Sequence, residues 1–122
     1  MRLIKIIVTY QIIFLTHNYF KMDLTAGMIT KFALIKLEGL GCYVWRNNNL
    51  TVPGRKFIGE RGVADIVGFH KSTGKAVYCE VKTIADKLSD YQIVFLNRAK
   101  NAGCMCYLAT DNKGIPELSE WQ

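Results

Sequence analysis

Gly62-Val63-Ala64-Asp65-Ile66-Val67-Gly68 and Tyr78-Cys79-Glu80-Val81-Lys82 each read as a short β-strand, and the turn Lys71-Ser72-Thr73-Gly74-Lys75 lies between them. Both runs are rich in β-branched and apolar residues and are bounded by turn formers. Side chains two apart on a strand share a face. Val77, Cys79 and Val81 therefore point one way, and Tyr78, Glu80 and Lys82 the other. The first set is expected to pack under a helix. The second carries an acid and a lysine, and Asp65 can meet them from the neighbouring strand. Two carboxylates and a lysine converging on a sheet face can hold a divalent metal beside a phosphodiester. Taken alone, Glu80 and Lys82 read as a surface ion pair, and Asp65 as an edge carboxylate.

The flanking sequence supplies the other elements. Asp23 or Thr25 can cap a helix. Ile29, Phe32, Ala33, Leu37 and Leu40 then follow helical spacing, which predicts an amphipathic helix over about 26–39, stopped by Gly39 and Gly41. Cys42-Tyr43-Val44-Trp45-Arg46 predicts a strand, and 47–56 a polar loop. Ser89 with Gln92 three residues later is a capping box. Tyr91, Val94, Phe95, Ala99 and Ala102 are expected to form the buried stripe of the following helix, which Gly103 ends. Cys104 to Ala109 predicts a buried strand, and the tail beyond Asp111 carries Pro116 and an exposed Trp121. The order is α-β-β-β-α-β: three strands in a meander, then a helical crossover that should be right-handed. The fold class is α/β, a mixed central sheet flanked by helices.

At 122 residues the chain is long enough for one domain. The expected division is an apolar extension over 1–22, a domain over 23–112 and a tail over 113–122. The formal charge of +6 points to a polyanion, nucleic acid before an anionic membrane. Four cysteines without a C-x-x-C pair and only two histidines do not support zinc ligation. Cys79, Cys104 and Cys106 fit buried reduced thiols, hence a cytoplasmic setting. The segment from Met1 has three readings. It is a signal peptide, or an extra strand or helix packed on the domain or a partner subunit, or the product of a mis-assigned start before Met22. Its apolar run is too short and broken to span a bilayer.

Taken in order, Trp45-Arg46-Asn47-Asn48, Gly59-Glu60-Arg61-Gly62-Val63-Ala64-Asp65, Glu80-Val81-Lys82 and Lys87-Leu88-Ser89 through Gln92 resemble the PD-(D/E)XK nuclease core. Within it they resemble the VRR-NUC family of virus-type replication-repair nucleases. The resemblance covers about residues 26–110 and implies a restriction-endonuclease-like fold. It implies a metal-dependent DNA endonuclease, selective for branched or flapped DNA in replication, repair or recombination and of possible phage derivation. Asp65 and Glu80 become the metal-binding carboxylates, and the Val81 carbonyl a third protein oxygen. Such hard oxygen ligands suit Mg²⁺ or Mn²⁺. Lys82 would position the attacking water or stabilise charge on the phosphorane. Gln92 matches the family's glutamine near the site, a role compatible with its capping box.

Two positions depart from the family. Its proline before the aspartate is Ala64 here. Its early helix glutamate has no counterpart over Ala26 to Met28, while Glu38 and Asp23 lie out of register; this favours one metal ion over two. A rival reading is a nucleic-acid-binding module of the same fold with impaired catalysis, and a third is a small secreted or membrane-associated protein. Arg46, Asn47, Arg55, Lys56, Arg61 and Lys87 cluster in sequence around the site and are candidates for phosphate contacts. Tyr91 and Trp45 are expected in the core, with stacking on a base or sugar the alternative. DNA is the expected partner, read by shape rather than by a long sequence. A homodimer would supply two active sites, with the apolar N-terminus a candidate dimer element.

Overall fold

The computed structural model describes Thr9 and residues 22–48, 53–56 and 59–122. Readings of the N-terminal extension, and of 49–52 and 57–58, fall outside the described residues. The elements are helix α1 (Ala26–Gly39), strands β1 (Cys42–Arg46), β2 (Ile66–His70) and β3 (Ala76–Lys82), helix α2 (Asp90–Asn101), and strands β4 (Met105–Asn112) and β5 (Ile115–Glu120). They form one five-stranded sheet in the order β1-β2-β3-β4-β5. The first three strands are an antiparallel meander, β3 and β4 are parallel across the α2 crossover, and β5 returns antiparallel. This is the mixed α/β sheet flanked by helices that the sequence predicts, extended by one strand.

That strand comes from the segment read as a tail. Asn112 pairs with Ile115, so Lys113 and Gly114 alone make the turn. Both have positive φ, 50° and 90°, as a two-residue hairpin with the strand's own twist requires. The Asp111 carboxylate holds the turn: Oδ1 accepts from the Gly114 N–H at 2.6 Å, and Oδ2 accepts from the Leu24 N–H at 2.9 Å. One side chain thus ties the hairpin to the entry of α1. Trp121 is half-buried rather than exposed, packs beside Leu96 and Cys106, and donates its indole N–H to Asn97 at 2.8 Å.

Two apolar layers sandwich the sheet. On one face Ile29, Ala33 and Leu37 of α1 meet Ile66, Val77, Cys79, Val81 and Ala109. On the other, Leu96 and Ala99 of α2 cover Cys106 and Tyr78. The buried residues of α2 are Leu96 and Ala99, so of the expected stripe Ala99 alone is buried. Tyr91 and Val94 are exposed, and Phe95 is half-buried against Tyr78. The expected stripe passed over Leu96, and the narrow face that meets the sheet is centred on that residue. All four cysteines are free thiols, and three of them are buried.

Gly62 fixes the loop before β2. Its φ is +82°, and a Cβ there would overlap the Tyr91 carbonyl at the start of α2. The loop and the helix start thus touch backbone to backbone. Asp111→Ala should lower unfolding free energy by about 2 kcal/mol, the worth of charge-assisted hydrogen bonds lost at two backbone amides. Chemical denaturation with an unchanged m-value would show it; a loss under about 0.5 kcal/mol would contradict this role for the carboxylate.

Candidate active site

The site forms where the β2–β3 ladder ends. The last pair is Ile66 with Cys79, so one residue further Asp65 stands opposite Glu80 on the α2 side of the sheet. Asp65 lies just before β2, not within it. Its backbone carbonyl accepts from the Asn47 N–H at 2.7 Å, which carries the β1–β2 pairing one step beyond Arg46. Its side chain turns to β3, where Oδ2 accepts from the Val81 N–H at 2.9 Å. Asp65 is therefore gripped from both neighbouring strands. The adjacent Ala64 is fully buried, and its carbonyl accepts from the Asn47 side chain at 3.4 Å.

Glu80 is the unusual residue. It is only 1% exposed, on a central strand covered on both faces, so it is not half of a surface ion pair. Oε1 accepts from Gln92 Nε2 at 2.9 Å and lies 4.0 Å from Lys82 Nζ. Oε2 is buried and has no hydrogen-bond partner. Burial pushes the Glu80 carboxyl up to about 9; Asp65 adds to the rise, first through the hydrogen bond that a protonated Glu80 makes to it and then through its charge, and Lys82 opposes it. An unpartnered buried carboxylate oxygen is costly.

Gln92 serves two masters. In the capping box its backbone N–H donates to Ser89 Oγ at 3.2 Å, and its side-chain Oε1 accepts from the Ser89 N–H at 2.8 Å. The other end of the same amide, Nε2, donates to Glu80. An amide has one acceptor end and one donor end, and both are used. The start of α2 and the Glu80 carboxylate are thereby fixed to one another.

These groups line a pocket of about 290 Å³ with Arg46, Asn47, Asp65, Glu80, Val81, Lys82 and Gln92 in its wall. The structure thus brings together seven of the residues singled out from sequence. Arg61 sits elsewhere, its guanidinium 5.3 Å from the centre of the Tyr91 ring, in a separate groove with Asp90 and Arg98. Arg55, Lys56 and Lys87 are exposed and do not line the pocket. Asp86, which sequence reading passed over, does line it. Its Oδ2 accepts from the Thr83 hydroxyl at 2.8 Å and the Thr83 N–H at 3.3 Å, and these bonds hold its carboxyl below the usual range. The signal for it is Thr83-Ile84-Ala85-Asp86, an acid closing a turn on a threonine directly after β3. From α1 the wall receives Ala26 and Thr30, neither an acid.

Among the described residues no three His, Cys, Asp or Glu side chains converge as a metal cluster. The pocket wall carries three carboxylates, Asp65 and Glu80 facing one another across the ladder and Asp86 held in its turn by Thr83, together with Val81. Hard oxygen donors together with the orphaned Glu80 Oε2 fit a divalent cation of the Mg²⁺ or Mn²⁺ type. No helix among the described residues is long and apolar enough to cross a membrane.

No known family profile matches the chain, nor does any curated protein. Solved structures do resemble it. One is described as a VRR_NUC domain, with 24% identity over 70% of this chain and 84% of the other and a TM-score of 0.47. Another is Hjc, a Holliday junction resolvase of the archaeal hyperthermophile Archaeoglobus fulgidus, with 21% identity and a TM-score of 0.45. That match covers 67% of this chain and 64% of the resolvase.

The Glu80 environment has a measurable consequence without metal. A carboxyl whose pKa is raised in the folded state binds more protons than in the unfolded chain, so stability is lost as pH rises from the unfolded value near 4.5 towards about 9. In chelator, the midpoint of thermal unfolding should fall across that window, and Glu80→Gln should flatten the fall and be the more stable protein at pH 8. Parallel pH profiles for the two proteins would show that Glu80 ionises normally.

Proposed function

We propose that the chain is a metal-dependent endonuclease that hydrolyses DNA phosphodiester bonds, with Asp65 and Glu80 as the ligands of Mg²⁺ or Mn²⁺ and the Val81 carbonyl as a third protein oxygen. The observation that carries this reading is the buried Glu80 carboxylate, opposite Asp65 and holding an unpartnered oxygen in the wall of an open polar pocket. Nothing in the packing of the domain requires a charge there. When bound, the ion polarises the scissile phosphate and lowers the pKa of a coordinated water.

The remaining roles belong to the chain. Gln92 keeps Glu80 Oε1 in place, so Oε2 is the oxygen left for a cation. Lys82 emerges on the same face of β3 and orients the attacking water or stabilises the growing negative charge on the phosphorane. Arg46 and Asn47 border the carboxylates and take phosphates flanking the cut; Arg61, Arg55, Lys56 and Lys87 contribute more distant phosphate contacts. With Ala26 and Thr30 on the α1 side, the pocket holds one well-ligated ion. The same observation favours a second reading, a DNA-binding module of this fold with weak or absent cleavage. The proposed substrates are branched or flapped DNA in replication, repair or recombination, in a cytoplasmic setting, and a homodimer would place two sites on a duplex.

Cleavage assays on Holliday junctions, flaps, nicked and linear duplex should show activity with Mg²⁺ or Mn²⁺ and none in chelator. Asp65→Ala should fall to background, and Lys82→Ala should lose roughly 10²–10³-fold. Equal residual cleavage in all three proteins would remove the assignment, and tight binding without nicking by wild type would establish the second reading. Calorimetric titration with Mn²⁺ should give one site per chain, abolished in Asp65→Ala. Binding should weaken steeply with salt, and Arg46→Ala should reduce the log–log slope by about 1.

A further inference from the structure

The two helices do not cover the sheet equally. On the α2 side, Tyr78 of β3 and Cys106 of β4 lie beneath Leu96 and Phe95, but among the described residues no helix lies over β1 and β2. Strand register places Tyr43, Trp45, Val67 and Phe69 on that open face, since Tyr43 pairs with Phe69 and Trp45 with Val67, which in turn pairs with Tyr78. Tyr43, Trp45 and Phe69 are 60%, 48% and 43% exposed. Their rings form one cluster, Tyr43 stacked on Phe69 at 5.5 Å and edge-on to Trp45 at 5.9 Å. Three large aromatics exposed together are not needed for the core.

The row leads to the catalytic pocket. Along β1, alternate residues share a face, so Tyr43, Trp45 and Asn47 follow one another on the side that carries Asp65 and Glu80. Asn47 is already in the pocket wall. Cations lie close to the row: at the β1 edge Tyr43 and Trp45 border a groove of about 540 Å³ whose wall also holds Arg46, Lys71 and, from α1, Leu34 and one carboxylate, Glu38. Exposed aromatic rings with cations at the adjoining edge suit a nucleic-acid strand.

Spacing decides which kind. The Tyr43 and Trp45 ring centroids are 5.9 Å apart, well beyond the roughly 3.4 Å rise of stacked bases along one DNA strand. Bases seated on Tyr43 and on Trp45 must therefore be unstacked from each other. A closed duplex cannot present them so, whereas a single strand can.

We propose that the exposed Tyr43–Trp45–Phe69 row is a stacking platform for unpaired bases of a single strand, continuous with the Asp65–Glu80 pocket. The inference rests on the nuclease reading for its substrate, and it specifies that substrate as DNA with an unpaired segment next to the cut.

The test uses full-length protein in chelator, so that binding is read without cleavage. Short oligothymidine and a duplex of equal length are titrated against wild type, Tyr43→Ala, Trp45→Ala and Trp45→Phe. Oligothymidine should quench tryptophan emission; Trp121, the second tryptophan, is engaged with Asn97 beside α2 and gives a constant background. Tyr43→Ala and Trp45→Ala should each weaken oligothymidine binding roughly tenfold with less than a twofold effect on duplex. Trp45→Phe should keep the affinity and lose the quenching. Equal weakening for both DNAs, or no weakening, overturns the platform. A fall in oligomeric state by light scattering in Tyr43→Ala, with single-strand affinity unchanged, overturns it in favour of contact between two copies of the chain. Failure of wild type to cleave any DNA with Mn²⁺, while these binding results hold, overturns the nuclease reading and leaves the platform standing.

Discussion

The rest of the site depends on one buried carboxylate at the end of a strand ladder. Glu80 sits on the central strand, between a helix-covered layer on each side, where a charge is expensive. Three neighbours define its state. Asp65 faces it across the ladder, Lys82 approaches from two residues along the strand, and Gln92 occupies one oxygen from above. The other oxygen is left without a partner. A protein selected for stability alone would place an apolar residue at this position, as it does at Val77, Cys79 and Val81 on the same strand.

The geometry around Glu80 is held by backbone as much as by side chains. Asp65 is fixed by Asn47 through its carbonyl and by Val81 through its carboxylate. The Gly62 loop abuts the first turn of α2, and that turn carries Gln92. Moving α2 would therefore move Gln92, the loop and Asp65 together. A helix cap worth about 1 kcal/mol in its own right here also sets the position of a polar group against the carboxylate. Economy of this kind explains why Ser89 and Gln92 can be read both as a capping box and as part of a site without conflict.

The uneven cover of the sheet gives the molecule its polarity. Five strands offer more surface than a twelve-residue helix can protect, so among the described residues β1 and β2 stay open on the side of the carboxylates. The exposed aromatics lie there, and they belong to the same pleat as Asn47. Trp45 and Tyr91 were expected inside the domain on the usual behaviour of large rings. Both are outside, Tyr91 partnered by Arg61 and Trp45 by Tyr43. Propensity and periodicity describe one element at a time, whereas exposure depends on how far a neighbouring element reaches.

The sequence by itself determined the order of elements from α1 to β4, the capping box at Ser89, the strand turn before Glu80 and the pairing of Asp65 with Glu80. Each is a local signal: a cap, a turn or a two-residue alternation within a few positions. The fifth strand escaped it because Ile115 to Glu120 contains a proline and alternates weakly, and only pairing with β4 makes it a strand. Asp86 escaped it because its place in the pocket depends on the Thr83 turn folding back beside β3. The buried face of α2, the separation of Arg61 from the pocket and the open aromatic face were likewise decided only in three dimensions. Burial and convergence belong to contacts between residues far apart in the chain, and no short stretch of sequence contains them.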